Sequence, residues 1–289
     1  MVPQVLVSER GPQLWLIESR IPDHVSFDAA ALLEPLSVAI HSVNRAAPTP
    51  ASTALVIGAG TVGLLVAAMA RQSGCTFVTI MDVDEGRVEY AIAKGFATHG
   101  YVVPKPLHSS ASSSSIFMSG ASTPASSDGA MTPLSSYSSI SDRLDGAKSV
   151  AADVLAVARP DMQLDEDEDD GVDITFECTG KEICMQTSLY ATKPGGKVIM
   201  VGMGTPIQTV PLSAAHLREV DILGIFRYAN TYQAGIRLLA GKGGMKFPSL
   251  DDMVTHKFKG LGAAKKAFEL AGRTVDDEGK LVLKVVIEA

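Results

Sequence analysis

The chain has 289 residues, 46% of them apolar, which gives room for about two domains and a sizeable core. One run, Asp165–Asp170 (DEDEDD), supplies six of the seven net negative charges, so the remainder carries no basic face for nucleic acid and no acidic one. No apolar run has the length of a membrane span, and Met1-Val2-Pro3-Gln4 lacks the basic entry of a signal peptide. Cys75, Cys178 and Cys184 fall in apolar or helical contexts without metal-ligand spacing, so the expected location is cytoplasmic.

Residues 1–20 read as two short strands, followed by a Pro22-Asp23 turn. A helix is expected from Phe27 to Asn44, kinked at Pro35. Next comes the most informative stretch, Ala54-Leu55-Val56-Ile57-Gly58-Ala59-Gly60-Thr61-Val62-Gly63-Leu64-Leu65. A buried strand runs into a Gly-x-Gly-x-x-Gly turn and a helix, and Cys75–Met81 then reads as a second buried strand. In a dinucleotide site the three glycines do different things. Gly58 allows the tight turn, Gly60 the close approach of a pyrophosphate, and Gly63 the packing of the helix on the strand. The helix N-terminus would face the phosphates.

Asp82 follows Gly63 by 19 residues, close to the spacing of an acid that accepts hydrogen bonds from a ribose diol. A carboxylate there repels a 2′-phosphate and favours NAD over NADP. Arg87 pulls the other way, since a guanidinium can hold a phosphate, although it can equally stack on adenine. The plainer alternative is an ordinary strand–turn–helix with a coincidental acid.

A helix follows Asp82 to about Lys94, and Gly100–Val103 forms a third strand. Ser109–Ser141, rich in Ser, Ala, Gly, Thr and Pro, lacks any period and buries too little to offset its chain entropy, so it is expected to be disordered, as part of an insert over 105–144. A helix over Asp145–Ala158 precedes the acidic run. Val172–Phe176 is the next core strand, ending in Glu177-Cys178-Thr179-Gly180 at a carboxyl end, where open α/β sheets bind ligands. Then come a helix (Glu182–Ala191), a Pro194-Gly195-Gly196 turn, a strand (Lys197–Val201) and a sixth strand (Asp221–Phe226). The tail holds a strand near Met253–Phe258, a helix near Ala263–Ala271 and an apolar run, Leu281–Ile287. This alternation predicts an α/β fold with a doubly wound parallel sheet.

Ile21-Pro22-Asp23, Leu33-Glu34-Pro35-Leu36-Ser37-Val38, the Gly58–Gly63 loop, Phe176-Glu177-Cys178-Thr179-Gly180, Pro194-Gly195-Gly196, Val201-Gly202-Met203-Gly204, Arg218–Ile222 and Phe226-Arg227-Tyr228-Ala229-Asn230-Thr231 occur in that order. Together they resemble the zinc-dependent medium-chain dehydrogenases, in the sorbitol/xylitol/arabinitol branch. The resemblance implies a Rossmann sheet over 47–246, carrying a Ser-rich insert (105–144) and an acidic loop (161–171). It also implies that 1–46 and 247–289 are remnants of a second, catalytic domain. Such enzymes oxidise a secondary alcohol of a polyol with NAD, using zinc to polarise the oxygen. By resemblance, Val62, Asp82, Arg87, Val201, Gly202, Met203, Ile225, Phe226 and Arg227 match cofactor-contacting positions. Glu34, Arg227 and Tyr228 match positions on the substrate side, Glu34 beside the metal. Pairing through Asp221–Phe226 would give a homodimer or homotetramer.

The family's zinc ligands, a Cys and a His-Glu pair, have no counterpart in this sequence, and a domain-sized N-terminal portion is expected to be missing. His41 lies seven residues after Glu34, but two ligands do not hold a catalytic zinc, and none of the six histidines forms a ligand pattern. Cys178 reads as a pocket wall rather than a nucleophile. Two functions remain open: a polyol dehydrogenase whose activity is impaired in this chain, or a non-catalytic NAD-binding remnant or sensor.

Overall fold

A computed structural model describes residues 4–9, 15–104, 140–158, 171–241 and 247–288. The chain opens with an antiparallel hairpin, β1 (Gln4–Glu9) and β2 (Trp15–Arg20). Helix α1 (Phe27–Ala30) starts at Ser26, whose hydroxyl accepts the Ala29 N–H at 3.0 Å. Helix α2 runs over Leu33–Ala46. The expected single kinked helix is therefore two helices. Pro35 has no N–H, and its ring excludes the carbonyl four residues back, so the chain turns at Ala31–Leu32 and restarts with Pro35 in the first turn of α2, where no donor is needed.

The central sheet has six parallel strands: β3 (Thr53–Ile57), β4 (Phe77–Asp82), β5 (His99–Val102), β6 (Val172–Glu177), β7 (Thr192–Met200) and β8 (Asp221–Gly224). Their order in space is β5-β4-β3-β6-β7-β8. Order reverses between β3 and β6, which places the topological switch, and hence the crevice, at their carboxyl ends. Side chains along β3 alternate between two buried layers. Ala54 and Val56 face α2 (Leu36, Ile40, Val43) and α3 (Thr61–Gln72), while Leu55 and Ile57 face α5 (Ile140–Ala158) and α6 (Glu182–Ala191). Burial on both faces explains the unbroken apolar runs of the sequence. Each fully buried leucine, such as Leu55 or Leu64, contributes on the order of 1.5–3 kcal/mol.

Helix α4 (Glu85–Ala93) connects β4 to β5 and is capped by Asp84, which accepts the Arg87 N–H at 3.0 Å. The Ser-rich stretch falls between β5 and α5, and 105–139 lies outside the described residues, as does 159–170 with the acidic run. Helix α5 begins at Ile140, five residues ahead of expectation, so 140–144, expected to be disordered with the insert, is helical instead. The Pro194-Gly195-Gly196 turn is a bulge inside β7: pairing with β6 shifts between Val172↔Thr192 and Ile174↔Lys197, with Gly195 at φ +69°. After α7 (Leu212–His216) and β8 comes α8 (Tyr232–Leu239), against α2. The tail forms β9 (Val254–Lys259), α9 (Ala264–Ala271) and β10 (Lys284–Glu288), with β9 and β10 in a separate parallel pair. Leu250 and Met253 of this tail are buried in the same core as α2 and α3.

Candidate nucleotide cleft

At the carboxyl end of β3 the backbone turns sharply, with Gly58 at φ +101° and its N–H donating to Met81 O at 2.7 Å. A side chain at Gly58 would meet Thr179 Cγ2 at 2.8 Å. Gly60 caps α3, and a Cβ there would face open space, with no atom within 4 Å. A Cβ on Gly63 would overlap the Gly58 carbonyl oxygen and stand 3.0 Å from its carbon. The three glycines thus differ physically: one makes the turn, one faces the opening, and one lets helix and strand touch.

A cleft of about 280 Å³ opens at this point, lined in part by Gly58, Gly60, Asp82, Arg87, Cys178 and Thr179. Asp82 ends β4, with one carboxylate oxygen on Ala59 N–H at 2.6 Å and the other on Asp84 N–H at 3.0 Å. Opposite stands the loop after β6. Glu177 is 3% exposed and accepts bonds from Thr179 N (2.8 Å), Thr179 Oγ1 and Gly180 N (2.9 Å). Burial raises the Glu177 carboxyl above its usual range in spite of these donors. The Cys178 thiol is pushed well up by burial and then by the Glu177 charge, so it is a neutral wall of the cleft. Cys184 is raised to about 12 for the same first reason.

Gly58, Gly60, Asp82 and Arg87 are thus gathered around one cleft. Gly63 lies behind the loop, and Val62 packs on the core. The other candidates continue along the same carboxyl edge. Val201 and Gly202 donate to Glu177 O, each at 2.8 Å, and Ile225 donates to Met200 O at 3.2 Å. Met203 and Phe226 are exposed, and the Arg227 guanidinium lies 5.6 Å over the Phe226 ring. Tyr228 stacks at a tilt on Tyr232, 5.3 Å between centroids, in a cluster that includes Leu33. Glu34, exposed on α2, bears electrostatically on the same Tyr232 hydroxyl, whose proton is held mainly by burial and by the bond to Tyr228. The structure therefore brings the substrate-side candidates Glu34 and Tyr228 to one tyrosine that no sequence motif singles out. Thr179 and Lys181 also line the cleft, and their signal was present in the small polar residues closing β6. Thr274, another lining residue, had none, because only the folding of the tail brings it there.

Zinc fits the described residues poorly. No group of three or more His, Cys, Asp or Glu gathers among them. The thiols of Cys75, Cys178 and Cys184 are each raised by burial, Cys75 to about 11, and none belongs to such a group. His41 shares α2 with Glu34, its protonation disfavoured by burial and then by Arg45. No helix among the described residues is long and apolar enough to cross a membrane.

A six-stranded parallel sheet wound on both faces, with a glycine turn at its switch point, defines a Rossmann-type α/β protein. Residues 129–241 match the family model for zinc-binding dehydrogenase. Sorbitol dehydrogenase of Gallus gallus is 33% identical over 268 residues, covering 92% of this chain and 59% of the relative. L-idonate 5-dehydrogenase of Vitis vinifera is 31% identical over 263 residues, covering 88% and 56%. A solved zinc-binding dehydrogenase fold from Sinorhizobium meliloti 1021, bound to NADP, superposes with a TM-score of 0.66 at 20% identity, covering 94% of this chain and 62% of that one. Over residues 129–241 the chain therefore carries a zinc-binding dehydrogenase domain, and it is a homologue of sorbitol and L-idonate dehydrogenases. It spans less than two thirds of the length of these relatives.

Proposed function

We propose that this chain binds NAD in the cleft between β3 and β6 and is the nucleotide-binding part of a polyol dehydrogenase-type oxidoreductase. The observation that carries the reading is the Gly58–Gly60–Gly63 geometry with the Asp82 carboxylate facing it. The N–H groups opening α3 are aimed at the pyrophosphate, and Asp82 keeps lone pairs for a ribose diol beyond its two backbone bonds. Preference for NAD over NADP rests on that charge, although a structural neighbour carries NADP. Val201, Gly202, Met203, Ile225, Phe226 and Arg227 line the path toward the nicotinamide half. The bound nicotinamide supplies the hydride acceptor for a secondary alcohol. Glu34, Arg227 and Tyr228 are the groups on this chain that orient a small polyol.

No step runs through zinc, since the described donors do not assemble a site for it. That favours a second reading beside the first, in which the chain by itself binds the dinucleotide without turning over a polyol. The unpaired thiols suit a reducing, cytoplasmic setting, and the β8 edge suits pairing into a homodimer or homotetramer. Fluorescence titration with NADH and NADPH tests the cofactor reading: tighter binding of NADH is expected, and equal or absent binding overturns it. Sorbitol and xylitol oxidation, assayed with and without added zinc, separates the two functions. Absence of turnover is expected for this chain, and zinc-dependent turnover would restore the enzyme reading.

A further inference from the structure

The tail carries a small hairpin whose first residue, Thr274, lines the cleft. Val275 pairs with Leu281, Asp276 N donates to Lys280 O at 2.9 Å, and Val282 N donates to Thr274 O at 2.8 Å. Asp276 organises the turn: one carboxylate oxygen accepts from Glu278 N (2.9 Å) and Lys280 N (2.8 Å), and the other lies 2.9 Å from His256 Nε2 on β9. Leu283, just past the hairpin, is held on the same strand by Thr255 Oγ1 at 3.1 Å.

Two donors, Arg87 in the cleft lining and Thr61 next to the lining residue Gly60, end on this segment. The Thr61 hydroxyl, first residue of α3 after Gly60, donates to Leu283 O at 2.8 Å. The Arg87 guanidinium, on α4, donates to Val282 O at a longer 3.3 Å, and its Nε is buried without a partner. Thr274 lines the cleft itself. The segment Thr274–Leu283 is therefore bonded both to the glycine-loop helix and to the helix after Asp82, and touches the cleft at Thr274. A neutral carbonyl is a weak acceptor for these donors. For the neutral Thr61 hydroxyl, a hydrogen bond to an anionic phosphate is roughly twice as strong as one to a carbonyl, and Arg87 is only partly satisfied as it stands.

We propose that the segment Thr274–Leu283 is a gate over the nucleotide cleft, held shut by the Thr61 and Arg87 bonds and released when the bound dinucleotide claims those donors. The inference rests on the dinucleotide reading above and adds a closed state that competes with binding. An equilibrium of this kind lowers apparent affinity by the fraction of open molecules.

Hydrogen exchange of the whole chain, with and without saturating NADH, reads the gate directly. Faster exchange of the amides of Asp276, Lys280, Val282 and Leu283 is expected in the complex. Asp276→Ala removes the carboxylate that shapes the turn, so NADH should bind more tightly, by about tenfold if one molecule in ten is open. His256→Asn, which keeps the turn bonds, should shift affinity in the same direction by less. NADH binding with unchanged or slower hairpin exchange, and no gain in affinity in either variant, overturns the gate and leaves the dinucleotide reading standing. NADH binding to Asp276→Ala but not to the parent chain supports a gate that stays shut. Absence of binding to all three proteins overturns both readings.

Discussion

The carboxylate of Asp82 reaches from the end of β4 to the Ala59 N–H at 2.6 Å, inside the glycine loop that follows β3. The acid expected to meet a ribose is therefore also a brace for the loop that would meet the phosphates. Its substitution acts on both.

Asp82→Asn keeps one acceptor for Ala59 but removes the charge. NADH affinity should fall by about tenfold or more, in line with roughly 1.5–3 kcal/mol for a charge-assisted hydrogen bond, while NADPH affinity falls less or rises. Paired titrations check this. An unchanged ratio of the two affinities would remove Asp82 from the ribose role.

Gly60→Ala and Gly63→Ala separate binding from folding. A methyl at Gly60 meets no protein atom within 4 Å, so thermal stability should hold while NADH binding drops as the methyl crowds the ligand. A methyl at Gly63 collides with Gly58, and overpacking costs about 1–3 kcal/mol. Its melting temperature should fall by several degrees, read by circular dichroism.

Asp173 predicts an acid-sensitive clamp between β3 and β6. It accepts from Thr53 N and Thr53 Oγ1, both at 2.7 Å, and pairs with Lys193 at 2.5 Å. Burial pushes its carboxyl up, but Lys193 and the Thr53 donors outweigh this and hold it below the usual carboxylate range. A depressed folded-state pKa stabilises the fold above the unfolded value and loses that effect as pH falls through the folded one. Asp173→Asn should thus be less stable than the parent above about pH 5, with the gap closing as pH falls below the ordinary carboxylate range. Thermal melts across that range give the answer, and a pH-independent gap would contradict it.

The thiols give a fourth test. With Cys75 at about 11 and Cys184 at about 12, alkylation by iodoacetamide at neutral pH should be slow in the folded chain and fast in denaturant. Mass spectrometry after timed quenching reads each cysteine separately. Rapid labelling of Cys178 in the native chain would show a thiolate there and make it a nucleophile rather than a wall.

Most strands and helices of the sheet were legible because their signals are local. The apolar run Ala54–Ile57, the glycine spacing and the acid ending the next strand each act within one βαβ unit, and the structure places them together. Boundaries slipped where neighbours overrode local signals. Pro35 split a helix instead of kinking it, and Pro194–Gly196 became a bulge because β7 continues pairing on both sides of it. Tyr232 carried no signal of its own, since its significance lies in its contact with Tyr228 and its nearness to Glu34 on a distant helix.

The sequence by itself determined the winding of the sheet and the glycine turn at its switch point, because strand burial, helix period and turn chemistry are written within a few residues of one another. Only the tertiary structure decided that Asp82 braces Ala59, that Asp173 clamps Thr53, and that the tail's carbonyls at 282 and 283 take the donors of Arg87 and Thr61. Those pairings join residues far apart along the chain, and their partners are fixed by how the layers pack rather than by any local pattern.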